Sequence, residues 1–416
     1  MSDFQIKIMP IAGADRQAIT IEVKGQPVTE HFDEQEQLGA AIIADPMPLA
    51  EWFAANWWRL RWEPEKENLT AEQQLDWNLS HRLAAAASGY QWPDLQLSSD
   101  DAAIRCVACK TEGRFTTIRF TRQLDEWLNA QGFEEGVDAF INALASRYPG
   151  SNLAQLWHEL LDERHDPAAI DWRKLEAKAG YDPDEAPEAL IEGLQRFYGV
   201  FGKDSVEELG SDNRGTTALE HAQRLYRSLQ ASRHTMSPDL TGFALQAGTA
   251  LTREYQPVWK QAARAASWVR SKLGISPEEQ LTNGRLLDYL GLSKQVWSQA
   301  SKAQVDTAGL RKGDNQAVVV VHQGRNTAKR FSLARLLGDY VYTQQQVNSQ
   351  LLSLTHSRTR RQKFQRAFAQ ELLCPYEGLL EALETAQPGE ESLEKIAKHY
   401  QVSPLTVNYT LENRQQ

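Results

Sequence analysis

The chain has 416 residues, with 45 Lys+Arg against 55 Asp+Glu and a formal charge of −10. That length fits about two or three domains, no apolar run approaches the ~20 residues of a bilayer span, and nothing at the start resembles a basic and apolar leader. Three cysteines make no disulfide framework, so the composition excludes a membrane or disulfide-stapled protein, and the expected location is cytoplasmic.

Charge is unevenly spread. Residues 241–416 hold 22 Lys+Arg and 15 Asp+Glu, leaving residues 1–240 with 23 and 40. Such asymmetry predicts two surfaces with different partners, or two domains that attract each other. The plainer reading is an acidic N-terminal domain.

Residues 1–45 read as β-rich. Phe4-Gln5-Ile6-Lys7-Ile8 and Ala18-Ile19-Thr20-Ile21-Glu22-Val23 alternate, and Lys24-Gly25-Gln26-Pro27 is a turn. Leu49 to Trp62 carries four of the 12 tryptophans at helical spacing. Trp57 and Trp58 beside Arg59 and Arg61 admit two readings: a base-stacking, phosphate-binding patch, or the core helix of a compact domain. A second helix is expected over 71–87, then strands near Ala103–Ala108 and Phe115–Phe120. Cys106 and Cys109 form a lone C-x-x-C, and a zinc ribbon needs a second pair.

From Leu124 onward the pattern reads as helical. Trp157-His158-Glu159-Leu160-Leu161-Asp162-Glu163-Arg164-His165 places His158, Asp162 and His165 on one helical face with Glu159 beside them. This is H-E-x-x-D, one letter from a zinc helix, and marks an alternative metal site. Against it, Leu156, Leu160 and Leu161 already supply a core stripe, and Asp166-Pro167 ends the helix. The low-periodicity stretch 232–248 reads as a domain boundary. The expected fold is α+β and predominantly helical: a mixed small-sheet domain over 1–123, a helical region over 124–236, and a third domain over 250–416.

In that third domain, Ala317 to His322 is the clearest buried strand, and Arg330-Phe331-Ser332-Leu333-Ala334-Arg335-Leu336-Leu337-Gly338-Asp339-Tyr340 reads as the helix after it. Phe368-Ala369-Gln370-Glu371-Leu372-Leu373-Cys374-Pro375 ends a later helix. Residues 392–407 read as a short helical pair. These three ordered segments resemble the ImmA/IrrE family of metallopeptidases over roughly 255–414. The resemblance implies a zincin-like fold, in which an R-F-x-L-A-H-E-x-G-H helix binds zinc through both His and uses the Glu as general base. Arg330, Phe331, Leu333, Ala334 and Gly338 match that pattern; Arg335, Leu336 and Asp339 stand where the first His, the Glu and the second His belong. A guanidinium has no lone pair for a metal, and Leu336 takes no proton. Gln362, Lys363 and Phe364 occupy the region of the family's acidic third ligand. Arg335 and Asp339, spaced i and i+4, suit an ion pair.

The expectation is therefore a non-catalytic pseudo-peptidase with no cofactor and no metal, acting as a regulatory or sensor protein on a protein or peptide partner. The resemblance suggests stress response, phage defence or a toxin–antitoxin pair. One alternative is a nucleic-acid-binding regulator using Arg358, Arg360, Arg361, Lys363 and Arg366, with residues 396–407 spaced like a helix-turn-helix or serving as a helical cap. The other is a metal-dependent hydrolase at His158, Asp162 and His165.

Overall fold

Alternation in the first forty residues makes a sheet because every second side chain finds the core. In this computed structural model, which describes all residues except 1–2, 12–15, 67–68, 87–88, 113–116, 213–216, 244–254, 299–305, 314, 323, 345, 386–389 and 416, β1 (Phe4–Pro10) pairs antiparallel with β2 (Gln17–Val23). Ile19, Ile21 and Val23 are buried. The architecture is α+β. The chain divides into two compact units: residues 1–191 with 250–255, and residues 192–249 with 256–416.

In the first unit the Trp-rich stretch forms α1 (Met47–Ala55) and α2 (Trp57–Trp62) rather than one helix. Asn56 makes the break: its side-chain Nδ2 and its backbone N–H both donate to Trp52 O. Trp52, Phe53, Trp57, Trp58 and Leu60 are buried, so the core reading holds and the stacking patch does not. α3 (Ala71–His81) starts at a Thr70–Gln73 capping box. β3 (Asp94–Ser99), β4 (Ala103–Cys109) and β5 (Leu124–Asn129) make an antiparallel sheet in the order β5-β4-β3.

β5 corrects the reading of helix from Leu124, and the boundary expected at 123/124 falls beside a paired strand. Its register against β4 runs from Leu124↔Ala108 to Asn129↔Ala103. Asn129 then caps α4 (Ala130–Arg147), whose Phe133, Val137, Phe140, Ile141 and Leu144 share one core with Trp157 and Leu160 of α5 (Asn152–His165). The Asp166 side chain starts α6 (Pro167–Ala179). Of the strand expected at Phe115–Phe120, Arg119–Phe120 pairs as a strand; Phe115 and Thr116 lie outside the described residues.

Early in the second unit lie α7 (Lys203–Gly210) and α8 (Thr217–Ala231). Its sheet comprises β6 (His234–Met236), β7 (Ala308–Arg311), β8 (Ala317–Val320) and β9 (Leu351–Ser353) in the antiparallel order β6-β8-β7-β9. β6 thus lies within this unit, although the sequence assigns it to the helical middle. The longer helices that follow are α9 (Val258–Lys272), α10 (Asn283–Leu290), α11 (Asn326–Tyr342), α12 (Arg360–Leu373), α13 (Tyr376–Thr385), α14 (Glu390–Tyr400) and α15 (Pro404–Gln415).

α11 buries Leu333, Ala334, Leu336, Leu337, Tyr340 and Val341. α12 answers with Phe364, Phe368, Ala369 and Leu372. Gly338 permits their approach, since a Cβ there would lie 2.9 Å from Phe368 Cδ1. Ile396, Ala397, Tyr400, Val402 and Val407 join the same core, which supports the helical-cap reading of residues 396–407 over a groove-reading pair. No helix among the described residues is long and apolar enough to cross a membrane.

Candidate functional site

The site is built where α11, β9 and α12 meet. α11 carries Leu336 and Asp339 into the interior alongside Leu333 and Leu337, with Arg335 half-buried beside them. Leu336 and Asp339 are both fully buried. Asp339 does not pair with Arg335, as the i, i+4 spacing suggests. Its Oδ1 accepts Arg361 Nε at 2.6 Å, and its Oδ2 accepts Arg361 Nη2 at 2.7 Å and the Ser353 N–H at 3.0 Å. The bidentate fork explains the choice, because parallel N–H···O bonds are the strongest arrangement for these two groups. Burial pulls the Arg361 pKa down, but the adjacent carboxylate more than offsets it and leaves the group above its ordinary value. Arg361 also donates to Leu351 O and Ser205 Oγ.

Arg335 is half-buried and meets neutral oxygens instead. Its Nη2 donates to Gln362 Oε1 at 2.6 Å, Thr355 O at 3.1 Å and Gln365 Oε1 at 3.3 Å. Burial, then the nearby Arg366 charge, pulls its pKa down to about 9, so it remains a cation at neutral pH. The amides are themselves fixed: Gln362 Nε2 and Gln365 Nε2 both donate to Ser353 O, and Thr355 N donates to Gln362 Oε1. The guanidinium therefore sits in an organised oxygen cradle.

A second layer escaped the sequence reading. Glu208 of α7 is buried and accepts hydroxyls from Thr359 at 2.8 Å, Ser357 at 3.1 Å and Thr355 at 3.2 Å. Asp212 Oδ1 accepts the His356 N–H. The signal was present: Thr355, Ser357 and Thr359 recur at a period of two, the extended-chain spacing that puts their hydroxyls on one side. Their acidic partner lies more than a hundred residues earlier, where no local pattern points to it.

The basic run is divided by the fold. Arg361 is buried against Asp339, which removes it from any phosphate-binding set. Arg358, Arg360, Lys363 and Arg366 are half-buried. Arg366 donates to Ser357 O and Arg360 to Gln256 O.

His158, Asp162 and His165 are all exposed on α5. The two imidazoles bond back to their own helix, His158 Nδ1 with Ala154 O and His165 Nδ1 with Leu161 O. Among the described residues, no group of three or more His, Cys, Asp or Glu side chains could hold a metal ion. The structure therefore does not assemble the alternative hydrolase site. Cys106 is buried with its thiol pushed up by burial, whereas Cys109 is exposed.

Residues 298–412 match the family model described as the IrrE N-terminal-like domain. The IrrE-like segment holds β7 to β9 and α11 to α14. It excludes α7, whose Ser205 and Glu208 complete the polar cluster, so that cluster extends beyond the matched segment. No curated protein and no solved structure matches the chain.

Proposed function

We propose that the second unit is a zincin-like pseudo-peptidase that acts by binding, as a regulatory or sensor protein for a protein partner. The observation that carries the reading is the state of the α11 positions. The base position holds a buried leucine, the second-ligand position holds a carboxylate with both oxygens engaged by Arg361 and Ser353, and the first-ligand position holds a cation. Neither the leucine nor the guanidinium has a lone pair to offer a metal or a water, and the carboxylate already accepts three N–H bonds. An arginine in a ring of amide and carbonyl oxygens supplies positive charge with no Lewis acidity and no displaceable ligand. Gln362, Gln365, Asp339 and Ser205 satisfy the backbone groups of residues 351–355. Partner recognition on this reading uses the outer surface, and a role in stress response or in defence against mobile elements belongs to the same proposal.

The test is elemental analysis of the purified, chelator-free chain, run beside an Arg335→His/Leu336→Glu/Asp339→His variant and a casein cleavage assay. The expected result is substoichiometric zinc in the natural chain and cleavage by neither protein. One zinc held per natural chain, or cleavage by it, would overturn the proposal.

A further inference from the structure

The first unit holds an open cavity of about 360 Å³ between α1 and α5. Glu51 and Ala55 of α1 line one side, and Asn152, Gln155, Leu156 and Glu159 of α5 line the other. Nothing in it depends on the α11 positions of the second unit. The core fixes both walls: α1 buries Trp52 and Phe53, α5 buries Leu153, Trp157 and Leu160, and all five belong to one hydrophobic cluster. The helical period then leaves Glu51 and Ala55, one turn apart, on one side of α1, and Asn152, Leu156 and Glu159 on one side of α5. The groove is therefore held by two helices that the core already orders, and the short side chain of Ala55 leaves it open.

The charge of the groove sets it apart within its unit. Other carboxylates here are matched by the chain's own cations: Glu134 by Arg61, Asp138 by Arg164, Glu163 by Arg173 and Asp101 by Lys178. Among the described residues, neither Glu51 nor Glu159 has a cationic partner. Glu159 Oε1 accepts Gln155 Nε2 at 2.9 Å, a neutral contact that steadies the carboxylate without cancelling its charge. Residues 1–240 hold 40 Asp+Glu against 23 Lys+Arg, so the complement to this pair has to come from elsewhere.

The lining also says what shape of cation fits. Ala55 and Leu156 offer an apolar surface, which suits the methylene stem of a long basic side chain. Two carboxylates suit a guanidinium, whose several N–H donors serve more than one acceptor, better than a compact ammonium. The volume lies near the low end of the ~300–1,000 Å³ typical of small-ligand sites, on the scale of one long side chain with its flanking backbone. The Asn152 and Gln155 amides can pair with that backbone, which a free polyamine does not have. We propose that the α1–α5 groove is a docking site for an arginine side chain presented by a protein partner, with the guanidinium held by Glu51 and Glu159.

The experiment uses the full chain and a fluorescein-labelled heptapeptide, Ala-Ala-Leu-Arg-Leu-Ala-Ala, followed by fluorescence anisotropy at low salt. A second peptide carries citrulline, a neutral near-isostere, in place of the arginine. The natural chain should bind the arginine peptide saturably and the citrulline peptide about tenfold more weakly, the loss expected when two charge-assisted contacts become neutral. Glu51→Gln/Glu159→Gln should weaken the arginine peptide by a similar factor. Glu34→Gln/Glu72→Gln, an equal charge change at exposed positions of the same unit, should bind almost as the natural chain does. Ala55→Arg tethers a guanidinium at the groove and should abolish peptide binding; the position is exposed and ends α1, where a cation suits the helix terminus. Circular dichroism confirms that each variant folds. No saturable binding of the arginine peptide, equal binding of the citrulline peptide, equal weakening by the two double variants, unchanged binding by Ala55→Arg, or tighter binding of spermidine than of the peptide would each overturn the proposal.

Discussion

The two units bury charge in different ways. In the first, Glu63 lies in the interior and meets Arg59 Nε at 2.7 Å, His81 Nε2 at 2.9 Å and Lys66 Nζ at 2.9 Å. Arg59 reaches on to Asp76 and Asp182. Burial alone would raise the Glu63 pKa, but Lys66, Arg59 and His81 hold it well below the usual carboxylate range. Within this network each buried charge faces an opposite one. In the second unit Arg335 faces amide and carbonyl oxygens, as does Arg330, which donates to Asn283 Oδ1 and Leu281 O and is pulled down to about 10 by burial and then by Arg270. Neutral oxygens replace the hydration of a cation without cancelling its charge. The first arrangement is an ion network that stabilises itself. The second is a seat of neutral oxygens around a cation.

The contrast can be broken most directly at Asp339. Asp339→Ala strands Arg361 in the interior and should cost about 3–5 kcal/mol, read by denaturant unfolding. A loss under ~1 kcal/mol would mean that the pair behaves as a surface bridge. Glu63→Gln should cost less, about 2–3 kcal/mol, because Arg59 keeps Asp76 and Asp182. Its pH dependence carries a sign. The folded pKa of Glu63 is depressed, so its contribution is complete above the unfolded value of about 4.3 and fades as pH falls through the folded one. The natural chain should therefore lose stability on acidification faster than Glu63→Gln. Parallel curves would show that Glu63 is not charged in the fold.

Arg335→Met should be milder still, about 1–2 kcal/mol, since no opposite charge is stranded but Thr355 O and Gln365 Oε1 lose their guanidinium donor. Here the folded pKa lies below the unfolded one, so the natural chain should gain on this variant as pH rises through about 9; a gap that widens in the other direction would contradict the cradle. The smallest effect belongs to His158→Ala/Asp162→Ala, which should leave both the unfolding midpoint and the metal content unchanged.

Much of the IrrE-like segment was legible because its signals are local. A valine run marks β8, and the residues matching the family pattern, Gly338 among them, mark α11. The strand at Leu124–Asn129 was not legible. Its Asp, Glu and Asn residues weaken any alternation, and its pairing with Ala103–Cys109 is what fixes it. The partner of Asp339 was misread for a related reason. Spacing on one helix proposed Arg335, whereas the fold brought Arg361 from another helix with better geometry. The oxygen cradle joins residues on separate elements, and Glu208 meets its partners across more than a hundred residues; no periodicity reports either.

Gly202 bears on how this unit can be divided. It adopts φ +81°, and a Cβ there would fall 2.0 Å from Asn348 O, so the backbone ahead of α7 presses directly on the backbone leading into β9. Phe201 O accepts Gln350 N, and Asp204 N donates to Asn348 O. β9 is the outermost strand of its sheet, and these bonds close off the chain at its entry. A fragment cut to the matched limits, residues 298–412, would strip that cover away and present raw strand edge to other molecules, a template for aggregation. A fragment beginning near residue 192 keeps it, and should be the shorter version that stays monodisperse on a sizing column.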